Sequence, residues 1–406
     1  MQFETCIITE IKNDLNLFYS NDVPRLINDT QNKNFNFLEG ALLISNGRRI
    51  NSTLNWNGMI DLLIENHFPP TISMQDPTSF LSGPTQYLIA LELLLGQKSR
   101  GIPAYIRIKK NIEDKILEEL PFLISQARNQ EVETFHYDIL YGITSYLNYL
   151  LEFYSADDSQ YIEDFLLEYL IFICTNKNNT FPFLKVTIEN DNTRQINMGI
   201  SHGINGLYYI LSKYNVNRNN SKYTNEVSLA ITNIEHFIIK NIIKKKDYYY
   251  IPGLVNEGNN LTNDYGVNLS WCYGLAGCSF LYYNNSYLPD SLFFNKNKCI
   301  VSNLVVAVRD KLHKKDNIIF ESATFCHGLS GLVYELFLVD SNKTSKELLN
   351  ILYSMKKDDT VKFYDIPHQD EYRSDYNFLD GSISTWFVMQ SIVTGERFIG
   401  DFLFGK

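Results

Sequence analysis

The sequence predicts an all-α fold in which repeated helix pairs close into a double-layered α/α toroid. Three observations carry that expectation: short glycine motifs recur along the chain, an apolar run of helical character follows each, and amphipathic segments lie between those runs. The motifs are Leu81-Ser82-Gly83-Pro84, the stretch from Asp138 through Gly142 to Ser145, and His202-Gly203-Ile204-Asn205-Gly206. Cys272-Tyr273-Gly274-Leu275-Ala276-Gly277, His327-Gly328-Leu329-Ser330-Gly331 and Leu379-Asp380-Gly381-Ser382-Ile383-Ser384 complete the set. Their first glycines lie 59, 61, 71, 54 and 53 residues apart. A period of about 50–70 residues accommodates two helices and their loops, as in repeat architectures.

Each element follows from local pattern. The runs that begin at Gly203 and at Gly328 place small residues three apart, on one face of a helix start. Small residues there let backbones approach closely or leave N–H groups facing a cavity. Tyr161 to Cys174 and Val227 to Ile243 are amphipathic and supply the second helix of their pairs. Alternating inner and outer helices would close the ring, with the glycine motifs at one rim. A small β-containing insertion is expected near Lys185 to Glu189 and Tyr248 to Ile251. No low-complexity linker divides the chain, so residues 1–406 are read as a single toroid domain.

Composition narrows the function. A net charge of −10 and a 45% hydrophobic content argue for a globular protein with no basic footprint for nucleic acid or anionic lipid. A cationic peptide is a compatible partner. The start, Met1 to Asp14, lacks the basic-then-apolar pattern of a secretory signal, and no apolar stretch reaches the roughly 18 residues of a membrane span. The six cysteines are Cys6, Cys174, Cys272, Cys278, Cys299 and Cys326. They are too sparse for a disulfide framework and are expected as free thiols or metal ligands.

Two segments carry the chemistry, Trp271-Cys272-Tyr273-Gly274 and Cys326-His327-Gly328. Both open equivalent repeat units, so ring closure would bring them together at one rim. Two thiolates and one imidazole suit zinc, and three protein ligands leave the open position typical of catalytic sites. The competing reading is that Cys272 and Cys326 pack as small apolar residues. Cys6, Cys174, Cys278 and Cys299 lie off the motif positions and read as core or surface thiols. His202 occupies the equivalent place before Gly203, and Asp138 precedes Gly142 by four residues. Together they could move and orient a proton at the same cavity. Alternatively, His202 caps a helix and Asp138 accepts backbone N–H groups.

In this order the motifs resemble those of the lanthionine synthetase C-like proteins, the free-standing cyclases of lantibiotic biosynthesis, from about Gly83 to Gly381. The resemblance implies an α/α toroid with one central zinc ion per chain, held by Cys272, Cys326 and His327. It matches His202 to the family's acid/base histidine, Asp138 to its active-site aspartate and Tyr273 to a functional tyrosine. The implied reaction is Michael addition of a cysteine thiol to dehydroalanine or dehydrobutyrine in a dehydrated precursor peptide, which forms (methyl)lanthionine rings. A dehydratase and a transporter are the implied partners, and the implied location is cytoplasmic, with membrane contact only through them. The chain departs from the family at Asn268, where those cyclases carry arginine, at Ala276 in place of proline, and at Ser145 and Ser384 in place of glycine. Two other functions stay open at this point: addition of a small thiol such as glutathione to dehydroamino acids, and a zinc-containing scaffold that only binds peptide.

Overall fold

The computed structural model describes residues 2–32, 35–129, 132–175, 181, 184–187, 194–218, 221–245, 248–256, 269–283, 304–309, 322–339, 344–357, 362–363 and 377–404. Helices dominate, and contacts group the chain into two compact units. Among the described residues no helix is long and apolar enough to cross a membrane.

The first unit comprises Met1–Ile72, Tyr87–Tyr105 and Arg309–Asp401. Its helix Phe37–Ile50 starts at a capping box, in which Asn36 accepts from the Glu39 N–H and the Glu39 carboxylate accepts from the Asn36 N–H. Residues 37–47 of that helix are all buried, as are residues 382–391 of the helix Ser382–Thr394. A helix buried on every side belongs to an inner layer. Gly47 makes the packing possible, because a Cβ there would lie 2.2 Å from the Trp56 ring. The two ends of the chain meet in this unit. Phe18 stacks on Trp386 with centroids 5.1 Å apart, and the Tyr19 hydroxyl donates to Gln390 at 2.5 Å. Buried Asn46 donates to the Ile399 carbonyl and accepts from the Ile399 N–H.

The second unit comprises Ser73–Gln86, Ile106–Val308 and Phe402–Lys406. Ile143–Phe153 and Ile204–Asn217 are its deeply buried helices, and Ala156–Ile173 and Thr224–Asn241 are their half-exposed companions. The expected helix from Val227 to Ile243 therefore ends at Asn241, and Ile243 opens a strand. Buried charged side chains inside the layer are paired, which offsets the cost of removing them from water. Lys213 reaches Asn148 at 2.9 Å and Glu152 at 2.8 Å, and Arg218 grips Glu163 through Nε and Nη2. Two strands, Lys185–Thr187 and Tyr248–Tyr250, fall at the expected places, and three more complete their sheets. Lys185–Thr187, Arg194–Asn197 and Leu254–Asn256 form an antiparallel sheet, and Ile243–Lys245 pairs with Tyr248–Tyr250. Glu189 lies outside the described residues.

A consistent stitch joins neighbouring glycine motifs within each unit. In the second unit the Leu140 carbonyl accepts from Phe80 N–H at 3.3 Å, the Ser201 carbonyl from Ile139 N–H at 3.3 Å, and the Cys272 carbonyl from Ile200 N–H at 3.0 Å. In the first, the Leu379 carbonyl accepts from Phe325 N–H and Cys326 N–H, both at 3.1 Å. Each acceptor sits two residues before its glycine, and each first donor sits three before the previous one. This register places side chains of equivalent position next to one another.

Candidate active site

The glycines explain why functional side chains can cluster here. Gly142, Gly203 and Gly381 are helix N-caps with no side-chain capping bond. A Cβ on Gly142 would lie 2.4 Å from Asp138 N, and one on Gly203 2.5 Å from the Asn197 carbonyl. The chain therefore turns tightly into each buried helix, and the residue before the glycine is carried at the turn.

Asp138 is 2% exposed, and its acceptor capacity is fully engaged. Oδ1 accepts from the N–H groups of Leu140 at 3.0 Å, Tyr141 at 2.6 Å and Gly142 at 3.1 Å. Oδ2 lies 2.6 Å from His202 Nδ1. The two readings of Asp138, turn acceptor and histidine partner, therefore hold together, one per oxygen. His202 is not a helix cap, since its ring faces Asp138. Two tyrosines lie near the imidazole, Tyr141 nearly parallel at 6.2 Å between centroids and Tyr273 tilted at 5.9 Å. Buried Tyr137 donates its hydroxyl to the His202 carbonyl at 3.2 Å. Burial, reinforced by the adjacent Asp138 charge, pushes the Tyr137 phenol well above its usual range, so it stays a donor.

Cys272 is fully buried, and its carbonyl also accepts from the Ser201 hydroxyl at 3.2 Å. The Ser270 hydroxyl lies 3.6 Å from its sulfur. The sulfurs of Cys272 and Cys326 and a ring nitrogen of His327 all lie within 4.8 Å of one another, the two cysteines buried and His327 exposed. Two thiols and an imidazole this close can be spanned by one small ion, and the donor set is one that zinc prefers. Such a group could hold a metal.

The remaining cysteines are placed differently. Cys174 is buried, and burial pushes its thiol well up, as for a packing residue. Cys278 is buried beside the Met198 carbonyl, and Cys6 is exposed beside Glu10. Cys299 and Asn268 lie outside the described residues. Tyr141 was not singled out in the sequence, although it stands directly before Gly142, as His202, Tyr273 and His327 stand before their own glycines.

With the fold and the site in view, the chain can be assigned. The family model of lanthionine synthetase C-like proteins matches residues 71–392, more than three quarters of the chain. The chain belongs to that family. The nisin biosynthesis protein NisC of Lactococcus lactis subsp. lactis is 26% identical over 250 residues, a match that takes in 55% of each chain. The chain thus spans about half the length of the curated relative it matches. The solved structure of nisin cyclase superposes with a TM-score of 0.70 at 17% identity, covering 98% of this chain and 97% of that one. That likeness shows the fold, an α/α toroid, with the small sheets as an insertion.

Proposed function

We propose that the chain is a lanthionine-forming peptide cyclase and that residues 1–406 act as one toroid. The observation that carries the reading is the contact of His202 with buried Asp138, beside Tyr273 and the cysteine that precedes it. Its substrate is a dehydrated precursor peptide carrying both a cysteine and a dehydroalanine or dehydrobutyrine. A dehydratase must supply that peptide, a transporter removes the product, and the cytoplasm is the setting in which both meet it.

Zinc bound by Cys272, Cys326 and His327, one per chain, would supply an open coordination position in which a substrate thiol stays deprotonated at neutral pH. The substrate sulfur attacks the β-carbon of the dehydroamino acid, a C–S bond forms, and the π electrons move to give an enolate. His202 then donates a proton to the α-carbon. Asp138 accepts from Nδ1–H, which fixes the tautomer and leaves Nε2 as the atom that carries the transferred proton. Tyr273 and Tyr141 lie near the ring and restrict its rotation. The thiol proton lost at the start is balanced by the α-carbon proton gained at the end, so cyclisation leaves the mass unchanged.

The test is to incubate the protein with a dehydrated peptide and alkylate the remaining thiols. Ring closure lowers the thiol count at constant mass, whereas addition of a small external thiol raises the mass. Zinc content in wild type and Cys326→Ala accompanies it. About one zinc per wild-type chain, lost in the variant, is the expected result. A folded wild type that holds zinc yet leaves every thiol free would favour the binding scaffold.

A further inference from the structure

Beside the tyrosine that flanks His202 lies a cavity of about 590 Å³ in the second unit. Its size falls within the roughly 300–1,000 Å³ of ligand pockets. Its apolar wall includes Ile116, Phe122, Leu123, Phe135 and Ile143. Two of these are large side chains left open to water, Phe122 at 62% and Phe135 at 49% exposure. Clustered exposed aromatics mark an interaction surface more often than a stability device. Asp76 and Glu119 line it as well, Glu119 on the same helix as Ile116, Phe122 and Leu123, and among the described residues no lysine or arginine does. Glu119 meets Lys115 at 3.4 Å, a half-exposed pair that water screens in part. His136 also lines it, packed against Phe135 with centroids 4.4 Å apart, and burial lowers its pKa toward the neutral form.

The cavity is built rather than incidental. Asp76 adopts a left-handed conformation at φ 48°, its carbonyl accepts from the Ser79 N–H at 3.0 Å, and a Cβ on Gly83 would lie 1.9 Å from that carbonyl. Thr78 donates its hydroxyl to the Tyr141 carbonyl at 2.7 Å, and Ser79 donates to the Leu140 carbonyl at 3.2 Å. The first two motif loops thus form one wall. Tyr141 is shared, since it lines the cavity and its ring is nearly parallel to His202.

We propose that this cavity is a specificity subsite for the precursor peptide, receiving a bulky apolar or aromatic side chain that lies close in sequence to the reacting residues, with an adjacent cationic side chain held by the carboxylates that line it, Asp76 and Glu119. The assignment rests on the cyclase reading for its substrate. One ring separates the cavity from His202, a span that an extended peptide covers in about two to four residues. A chain of net charge −10 adds a general attraction for a cationic peptide.

Two synthetic peptides test it, each with one cysteine and one dehydroalanine, flanked at that spacing by Phe-Lys in one and by Ser-Asp in the other. Wild type should cyclise the first with a kcat/KM roughly tenfold or more higher, as burial of one aromatic side chain implies. The double variant Phe122→Ser/Phe135→Ser should bring the two within about twofold of each other, and Glu119→Lys should erase the part of the preference due to the lysine. These positions are exposed, and unchanged circular dichroism and zinc content report an intact fold. Equal rates on both peptides in wild type, or a preference that survives the double variant, would overturn the subsite. If neither peptide is cyclised, the cyclase reading fails on its own, and binding of the Phe-Lys peptide with alanine at both reacting positions decides the subsite. Binding that is lost in the double variant upholds it, and no binding by wild type sinks it.

Discussion

The smallest unit of the mechanism is the pairing of one carboxylate with one imidazole. Asp138 uses one oxygen to hold three N–H groups of its own turn and the other to meet His202. His202→Ala removes the proposed proton donor and leaves Cys272, Cys326 and His327 untouched. Turnover should fall on the order of 10²–10⁴-fold with zinc content unchanged; cyclisation at the wild-type rate would refute the acid assignment. Asp138→Asn keeps the turn acceptor but loses the charge facing Nδ1. It should fold normally and lose activity, with a smaller loss of stability than Asp138→Ala, which takes the side-chain acceptor from the Leu140 and Tyr141 N–H groups at about 1–3 kcal/mol. Equal stability of the two variants, measured by denaturant unfolding, would contradict this division of labour. The metal-group residues were legible in the sequence because cysteine and histidine are scarce, with 6 and 7 in the chain, and recur at equivalent positions. Tyr141 was not, because one of 27 tyrosines stands out only once the stitch between loops shows which positions are neighbours. Likewise, the hydroxyl of Ser270 beside the Cys272 sulfur follows from a turn geometry that residue type does not reveal.

At the scale of elements, the glycine motif and its helix are one device. The helices Ile204–Asn217 and Leu329–Val339 were legible from the glycines three apart at their starts and the long apolar-rich runs that follow. The strands were only partly legible. Lys185–Thr187 and Tyr248–Tyr250 fall where expected, but Arg194–Asn197, Ile243–Lys245 and Leu254–Asn256 are too short to show alternation and are set by their partners across the sheet. The glycine three residues into the helix is not equally strict in every repeat. Ser145 and Ser384 fill that place in two of them and are buried there. By contrast, a Cβ on Gly277 would lie 1.9 Å from the Trp271 carbonyl and 2.8 Å from Ile200 Cγ2. Gly277→Ala should therefore push the turn that carries Cys272, costing about 1–3 kcal/mol and weakening zinc retention. Gly101→Ala is the control, because a Cβ there meets nothing within 4 Å, and its effect should stay within about 0.5 kcal/mol. If thermal unfolding cannot tell the two variants apart, the close approach is not what the glycine is for.

For the whole molecule, the sequence motifs leave the N-terminal region unexplained, and the structure shows it bonded to the C-terminal part of the first unit. The family match begins at residue 71, and no glycine motif precedes Gly83. Yet the helix Phe37–Ile50 is as buried as the motif helices, and it ties to the far end of the chain through Asn46 and through Glu39. Such ties join residues more than 300 positions apart, a pairing that local patterns do not encode. Glu39 offers a test of this closure. Its carboxylate accepts from the Asn36 N–H at 2.8 Å and from the Phe378 N–H at 2.8 Å, so it locks an N-terminal helix cap to the last motif loop. Burial raises its pKa from 4.5 to about 8, against the two hydrogen bonds that favour the ionised form. The folded chain therefore keeps this proton at pH values where the unfolded chain has released it. Between about pH 4.5 and 8 the folded state holds this extra proton, so the contribution of Glu39 to stability falls as pH rises through that window and levels off above it. Glu39→Gln cannot ionise, and its amide NH₂ faces one of the two N–H groups. It should be less stable than wild type near pH 5 by about 1 kcal/mol, the worth of one hydrogen bond. That gap should shrink as pH rises and close or reverse near pH 8, because only wild type then has a charge to bury. Chemical unfolding of both proteins from pH 5 to 9 measures it. A gap that stays constant across the series would mean that Glu39 is ionised throughout and that the link between the chain ends is an ordinary capping box.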